Sequence, residues 1–261
     1  MLKTVYCFAL VILFSVDSFS QKRAETTQED RDMAKSLKEI YPDDAVVLQE
    51  SEDNITFAFD EKNQKITVNK ESAETLLNID SRADIQKYCF YSSQSSINKF
   101  QIKNRNDKKY YTYTKDEAYK SDDLFHNDAR VKFTNISFPL LGYKIKTYVS
   151  KTYKDIKYFT QIFFNDDYPV VKKVVKIEIP DWLDIELKEI NFEGYSIKKN
   201  MTNNTTNNTK TYVFTIENLP ANYKEKDAPG PTYIYPHILI LAKSYTRNNE
   251  TQNIFNTTQD L

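Results

Sequence analysis

Residues 55–68 read ITFAFDEKNQKITV, and their spacing decides the fold class. Ile55, Phe57 and Phe59 alternate with Thr56 and Ala58, which puts the large apolar side chains on one face of an extended chain. After the polar residues Glu61 to Gln64, Ile66 and Val68 resume the alternation. Two such runs around a polar turn predict a β-hairpin.

Outward from this hairpin, period two recurs around residues 88–91, 100–102, 111–113, 131–133, 143–149 and 159–163. It continues through Val175, Ile177 and Ile179, then Leu183, Ile185 and Leu187. A change of phase to Ile190 and Phe192 predicts a bulge near Lys188 and Glu189, because one extra residue exchanges the inward face. Residues 212–216 supply another strand, and 233–242 is apolar on both faces apart from His237, which predicts a strand buried on both sides. The Asn and Thr tract at 200–209 is too polar for a core and reads as a solvated hairpin loop.

Helix spacing occurs near the start, where Met33, Leu37 and Ile40 recur and Thr26 with Glu29 is placed as a capping box. No amphipathic helices separate the strands, so the crossovers of a parallel sheet are missing. The predicted fold is all-β, an antiparallel two-sheet β-sandwich with one short N-terminal helix. Composition agrees: 19 Tyr and 16 Phe against 3 Gly suit pleated, half-buried surfaces.

At the N-terminus Lys3 precedes an apolar run from Val5 to Phe14, followed by Ser18, Phe19, Ser20 and Gln21. That order is a secretory signal peptide with cleavage expected after Ser20. The run is about half of the ~20 residues a spanning helix needs, so no membrane span is expected after cleavage. Cys7 sits inside the apolar run, which argues against lipidation, and Cys89 alone remains, which excludes an intramolecular disulfide. With 36 basic and 37 acidic residues, no net field draws the chain to nucleic acid or anionic lipid. The organisation predicted is a signal peptide at 1–20, a helix and lead-in at 21–40, the sandwich at 41–245, and a polar tail or linker at 246–261.

Four segments in order carry a resemblance: YPDDAVVL (41–48), FHNDARVKFTNISFP (125–139), YPVVKKVVKIEIP (168–180) and PANYKEKDAPGPTYIYPHILI (220–240). Together they resemble the bacterial domain of unknown function family 3857, usually found N-terminal to a transglutaminase-like domain. The resemblance spans roughly residues 40–245 and implies a two-sheet β fold in the bacterial envelope, in the periplasm or on the outer surface. It brings no catalytic or ligand residues with it. One departure follows Pro139, where family members have a longer Gly-containing turn and this chain passes through Leu140, Leu141 and Gly142.

A transglutaminase core needs a Cys nucleophile at a helix start, a His base and an Asp that orients it. Cys89 lies in KYCFY, a strand-like run with nothing to lower a thiol pKa, and reads as structural. His126, beside Asn127 and Asp128, reads as part of a turn, and His237 after Pro236 as a satisfied core or edge histidine. The pairs Asp43 with Asp44, Asp122 with Asp123 and Asp166 with Asp167 could offer oxygens to calcium but lack the spacing of a calcium loop, and read as solvated turns. Exposed tyrosines could stack on sugars, although alternation explains most of them as core or cross-strand pairs. No catalytic, cofactor-binding or metal residue is assigned and no cofactor is expected. The function expected is that of an exported, non-catalytic accessory domain that positions a substrate or partner for a transglutaminase-like or protease-like domain. The alternative is a free-standing envelope module that binds a glycan or a protein.

Overall fold

The hairpin at 55–68 lies at the middle of the largest sheet. The computed structural model describes residues 26–104, 106–110, 112–119, 128–222 and 229–255, so the expected signal peptide lies outside the described residues. In chain order the elements are α1 (Gln28–Ile40), β1 (Val46–Asp60), β2 (Lys65–Asn78), β3 (Ala83–Tyr91), β4 (Ser95–Asn104), β5 (Thr114–Ala118), β6 (Arg130–Phe138) and β7 (Lys144–Tyr153). A single 3-10 turn (Ile156–Tyr158) leads to β8 (Gln161–Phe163), β9 (Val170–Pro180), β10 (Leu183–Ile190), β11 (Lys198–Asn204) and β12 (Thr209–Leu219). The short α2 (Pro231–Ile234), β13 (His237–Arg247) and β14 (Glu250–Asn253) complete the described chain.

The fold is the predicted all-β sandwich. A seven-stranded sheet runs in the order β11-β12-β9-β1-β2-β7-β4. Two smaller sheets, β3-β6-β5 and β10-β13-β14 with β8 also on β13, face it. Phe57 pairs with Val68 and Phe59 with Ile66, so the hairpin's apolar residues share one face as their spacing requires. On that face Ile55, Val68, Val175, Ile177 and Phe214 form one core with Ile136 and Phe138 of β6 and Ile238 and Ile240 of β13. Among the described residues the strands pair antiparallel with one exception, β1 beside β9, where Leu48 to Thr56 run parallel to Val170 to Glu178. No crossover helix is needed there, because the strands from β2 to β8 make the connection.

Helix α1 covers the opposite face at one end of the large sheet, packing Ala34, Leu37 and Tyr41 on Val47, Leu77 and Ile79. Its cap is Thr27, whose Oγ1 accepts from the Asp30 N–H at 3.1 Å, one residue later than expected. Thr26 is engaged by the Arg31 guanidinium through its carbonyl at 2.7 Å and its hydroxyl at 2.9 Å. Ile40, expected on the buried face, is 60% exposed, while Leu37 and Tyr41 on either side of it are buried against the sheet. The turn after Pro139 is tight: Gly142 has φ +76°, and a Cβ there would stand 2.8 Å from the Asp30 carbonyl carbon.

The structure departs from the sequence reading at further points. Of the tract at 200–209, expected as a loop, residues 200–204 belong to β11 and Thr209 begins β12, which leaves 205–208 as the turn. Residues 112 and 113 belong to no strand, and the strand begins at Thr114 in β5. The expected bulge near Glu189 is absent; β10 pairs with β13 without a break from Ile185 to Ile190, and the irregularity falls between Asp184 and Ile185. Ile190, the last residue of β10, therefore lies on the face opposite Leu187, and the chain leaves the strand at Asn191, which has φ +56°. Strand β13 is buried on both faces only at its start, where His237 is 4% exposed beside Ile238; further on, Leu241 is 36% exposed while Ile240 and Ala242 stay buried. Finally, residues 246–253 are not a linker: Thr246 and Arg247 end β13, Asn248 and Asn249 turn at φ +50° and +63°, and β14 pairs back on β13. Ile254 then enters the main core and Phe255 packs against it.

Candidate functional site

A strip of ionised side chains crosses the otherwise apolar interface between the layers. It follows from the alternation itself: Ser51 and Asp53 on β1, Lys70, Ser72 and Glu74 on β2, and Lys173 on β9 occupy the inward phase set by Ile55 and Val68. Asp53 Oδ1 accepts from the Ser72 hydroxyl at 2.5 Å, and its Oδ2 has the ammoniums of Lys70 at 3.1 Å and Lys173 at 3.5 Å. Both contacts on that second oxygen are ion pairs. Burial would raise the Asp53 carboxyl, but the two lysines and Ser72 outweigh it and hold it well below the carboxylate range. Further along, Lys87 of β3 reaches Glu74 at 2.8 Å, and the Thr147 hydroxyl donates to the same carboxylate at 2.6 Å.

Lys87, 9% exposed, ends this strip at the edge of its sheet. Burial pulls its ammonium down, but Asp166 and Glu74 outweigh that and raise it above its ordinary value. There, β3 is the edge strand of its sheet and faces the chain leaving β8, the edge of the neighbouring one. The two edges do not pair. A cleft of about 560 Å³ lies along this seam, within the size range of ordinary ligand pockets. Its floor and walls come from Lys87, Tyr88 and Phe90 of β3, from Asn165 to Tyr168, and from Asn222, Pro231 and Tyr235.

The polar inventory of the cleft is lopsided. The Tyr88 hydroxyl donates to Asp167 Oδ2 in a short hydrogen bond, and the Tyr168 hydroxyl to the Gln86 carbonyl at 3.3 Å. Burial and the charges of Asp166 and Asp167 push the Tyr168 phenol up to about 12, against the opposing pull of Lys87. Burial and Asp167 likewise raise Tyr88. Both tyrosines therefore stay protonated as donors at neutral pH, and both are already committed. Among the described residues the buried Oδ1 atoms of Asn165 and Asn222 accept no hydrogen bond. A buried acceptor left unmatched costs roughly 1–3 kcal/mol.

The residues singled out in sequence separate clearly. Asp166 and Asp167 line the cleft, whereas Asp43 and Asp44 lie in the turn after α1, where Asp44 N–H reaches the Tyr41 carbonyl at 3.3 Å. His126 and the pair Asp122 and Asp123 lie outside the described residues. Cys89 is half-buried beside Lys87 on β3, and burial pushes its thiol up despite the nearby Lys151, Lys70 and Lys87. It is a free thiol unsuited to attack at neutral pH. His237 is buried, its Nδ1 2.9 Å from the Tyr235 carbonyl and its ring 5.0 Å from that of Phe163. Among the described residues no three His, Cys, Asp or Glu side chains gather as metal ligands, and no helix is long and apolar enough to cross a membrane.

Exposed aromatic side chains continue from the cleft over the smaller sheet. Tyr88, Phe90 and Tyr119 are between 37% and 42% exposed, with ring centroids 5.3 Å and 4.9 Å apart. Successive rings meet at 66° and 76°, edge to face, so they form no continuous flat platform. Tyr88, Phe90, Asn165, Tyr168 and Asn222 were not recognisable as a site from sequence. The signal nearest to them was the run NDDYP at 165–169.

The geometry defines a β-sandwich with a ligand-sized seam. No family model matches the chain, and no curated protein does. Among solved structures it is similar to one described as a "putative protease" from Parabacteroides distasonis, at a TM-score of 0.51 and 13% identity, covering 75% of this chain and 40% of that one. It is also similar to a "putative nutrient binding protein" from Legionella pneumophila, at a TM-score of 0.40 and 9% identity, covering 75% of this chain and 66% of that one. The chain thus spans less than two thirds of each. The first likeness shows the fold alone.

Proposed function

We propose that the protein is an exported accessory domain that holds a segment of a partner or substrate in the seam cleft, beside a transglutaminase-like domain that does the chemistry. The observation that carries this reading is the pair of unmatched, buried amide oxygens of Asn165 and Asn222 in a cleft walled by tyrosines. Such a site is suited to non-covalent capture, and the one thiol nearby is held protonated by burial. The resemblance of residues 40–245 to the family that precedes transglutaminase-like domains supplies the partner. Capture near an active site raises the effective concentration of the captured segment without any reactive group of its own.

The test is kinetic. A transglutaminase-like domain encoded with or beside this chain is assayed on a protein substrate with the chain present, and again with a Tyr88→Ala/Tyr168→Ala variant. The expected result is a rise in KM with kcat unchanged, the signature of lost binding that is uniform between ground and transition states. Equal KM values for the two would refute the accessory role.

A further inference from the structure

We infer that the seam cleft takes a cationic side chain, the ammonium or guanidinium of a lysine or arginine in a polypeptide partner. The inference rests on the cleft being a binding site and specifies what it binds. Charge comes first. Asp166 and Asp167 bring two carboxylates to the cleft, and among the described residues the cation within reach, Lys87, is already paired at 2.8 Å with Glu74. These four charges sum to a net negative charge.

Hydrogen-bonding capacity points the same way. The hydroxyls of Tyr88 and Tyr168 and the ammonium of Lys87 are each donated to a partner within the protein. What remains unmatched and buried are acceptors, the Oδ1 atoms of Asn165 and Asn222. Asn165 is 7% exposed, so solvent does not relieve it. A group that carries positive charge and several N–H donors satisfies both requirements, and aromatic side chains, which attract cations, also line the cleft at Tyr88, Phe90, Phe163 and Tyr235. A neutral sugar would leave the carboxylates uncompensated, and the edge-to-face rings of Tyr88, Phe90 and Tyr119 give it no platform. A bare divalent cation finds too few carboxylates gathered, since no three acidic or ligating groups meet there among the described residues.

The experiment is a titration of the full chain with a short lysine-containing peptide, followed by NMR or calorimetry. The same peptide with its lysine acetylated, a neutral oligosaccharide and calcium chloride are run in parallel. Expected are binding of the lysine peptide that weakens as salt is raised, at least tenfold weaker binding of the acetylated peptide, and a loss of about tenfold or more in Asp166→Asn/Asp167→Asn. That fold-change corresponds to about 1.4 kcal/mol. Asp167 is exposed, Asp166 is half-buried and both replacements are isosteric, so thermal unfolding checks that the variant keeps its fold; an Asn165→Leu variant provides a second route to the same loss. Equal binding of the acetylated and free peptides would overturn the cationic ligand while leaving the cleft a binding site. Preference for the oligosaccharide or for calcium would overturn it in favour of that ligand. Binding of none of the four would overturn this inference together with the binding role of the cleft.

Discussion

Asp53→Asn tests the ionic strip that joins the two layers. The carboxylate is 4% exposed, and the ammoniums of Lys173, 7% exposed, and Lys70, 28% exposed, stand at 3.5 Å and 3.1 Å from the same oxygen. An amide in its place keeps the shape and can still meet the Ser72 hydroxyl, but it leaves two lysines facing each other without a counter-charge. Removing one partner of a buried ion pair costs about 3–5 kcal/mol. For a domain of this size that lowers Tm by roughly 6–20 °C. Urea unfolding at neutral pH measures it, and the double variant Asp53→Asn/Lys173→Met should recover part of the loss because the stranded charge is gone. The pH dependence follows from the sign of the shift. Asp53 is held well below its unfolded value, so its contribution is complete above the unfolded pKa of about 3.9 and is lost as pH falls through the folded one. Parent and variant stabilities should therefore converge only in strong acid. A loss below about 1 kcal/mol at pH 7, or a difference unchanged down to pH 2, would refute the assignment of that strip as a matched ionic network.

Other expectations follow from single contacts. Gly142→Ala forces a Cβ to within 2.8 Å of the Asp30 backbone at φ +76°, and should destabilise by about 2 kcal/mol or more in chemical denaturation. Thr27→Ala removes the cap of α1 and should cost about 1 kcal/mol, whereas Thr26→Ala should cost less, reversing the order that the sequence suggested. Cys89 should react with iodoacetamide more slowly than a free cysteine peptide at pH 7.5, since burial raises its pKa; rapid labelling would contradict that assignment.

Much of the fold was legible because alternation reports directly on which face is buried. Ile55, Phe57, Ile66 and Val68 fixed the central hairpin without any tertiary information. The same pattern failed where a tertiary partner decided the outcome. Thr246 to Asn253 look like linker residues because their side chains are polar, yet their backbone pairs with β13, and a two-residue Asn-Asn turn was the overlooked hairpin signal. The cleft was hidden for a different reason. Lys87, Asp166 and Asn222 come from three separate parts of the chain, and only the meeting of two sheet edges brings them together. Asp53, Glu74 and Lys173 were equally silent, since a charged residue in the inward phase of a strand reads simply as a flaw in the pattern.

The proposed role of the seam is to hold a catalytic partner's substrate or the partner itself. In vivo photo-crosslinking tests it most directly, with a photoreactive amino acid at Tyr233, an exposed position between the lining residues Pro231 and Tyr235, and a control at Met201 on the remote edge strand β11. The expected result is a crosslink from position 233, and none from position 201, to a transglutaminase-like domain or to the protein on which it acts. Equal capture from both positions, or capture of neither protein from position 233, would contradict it.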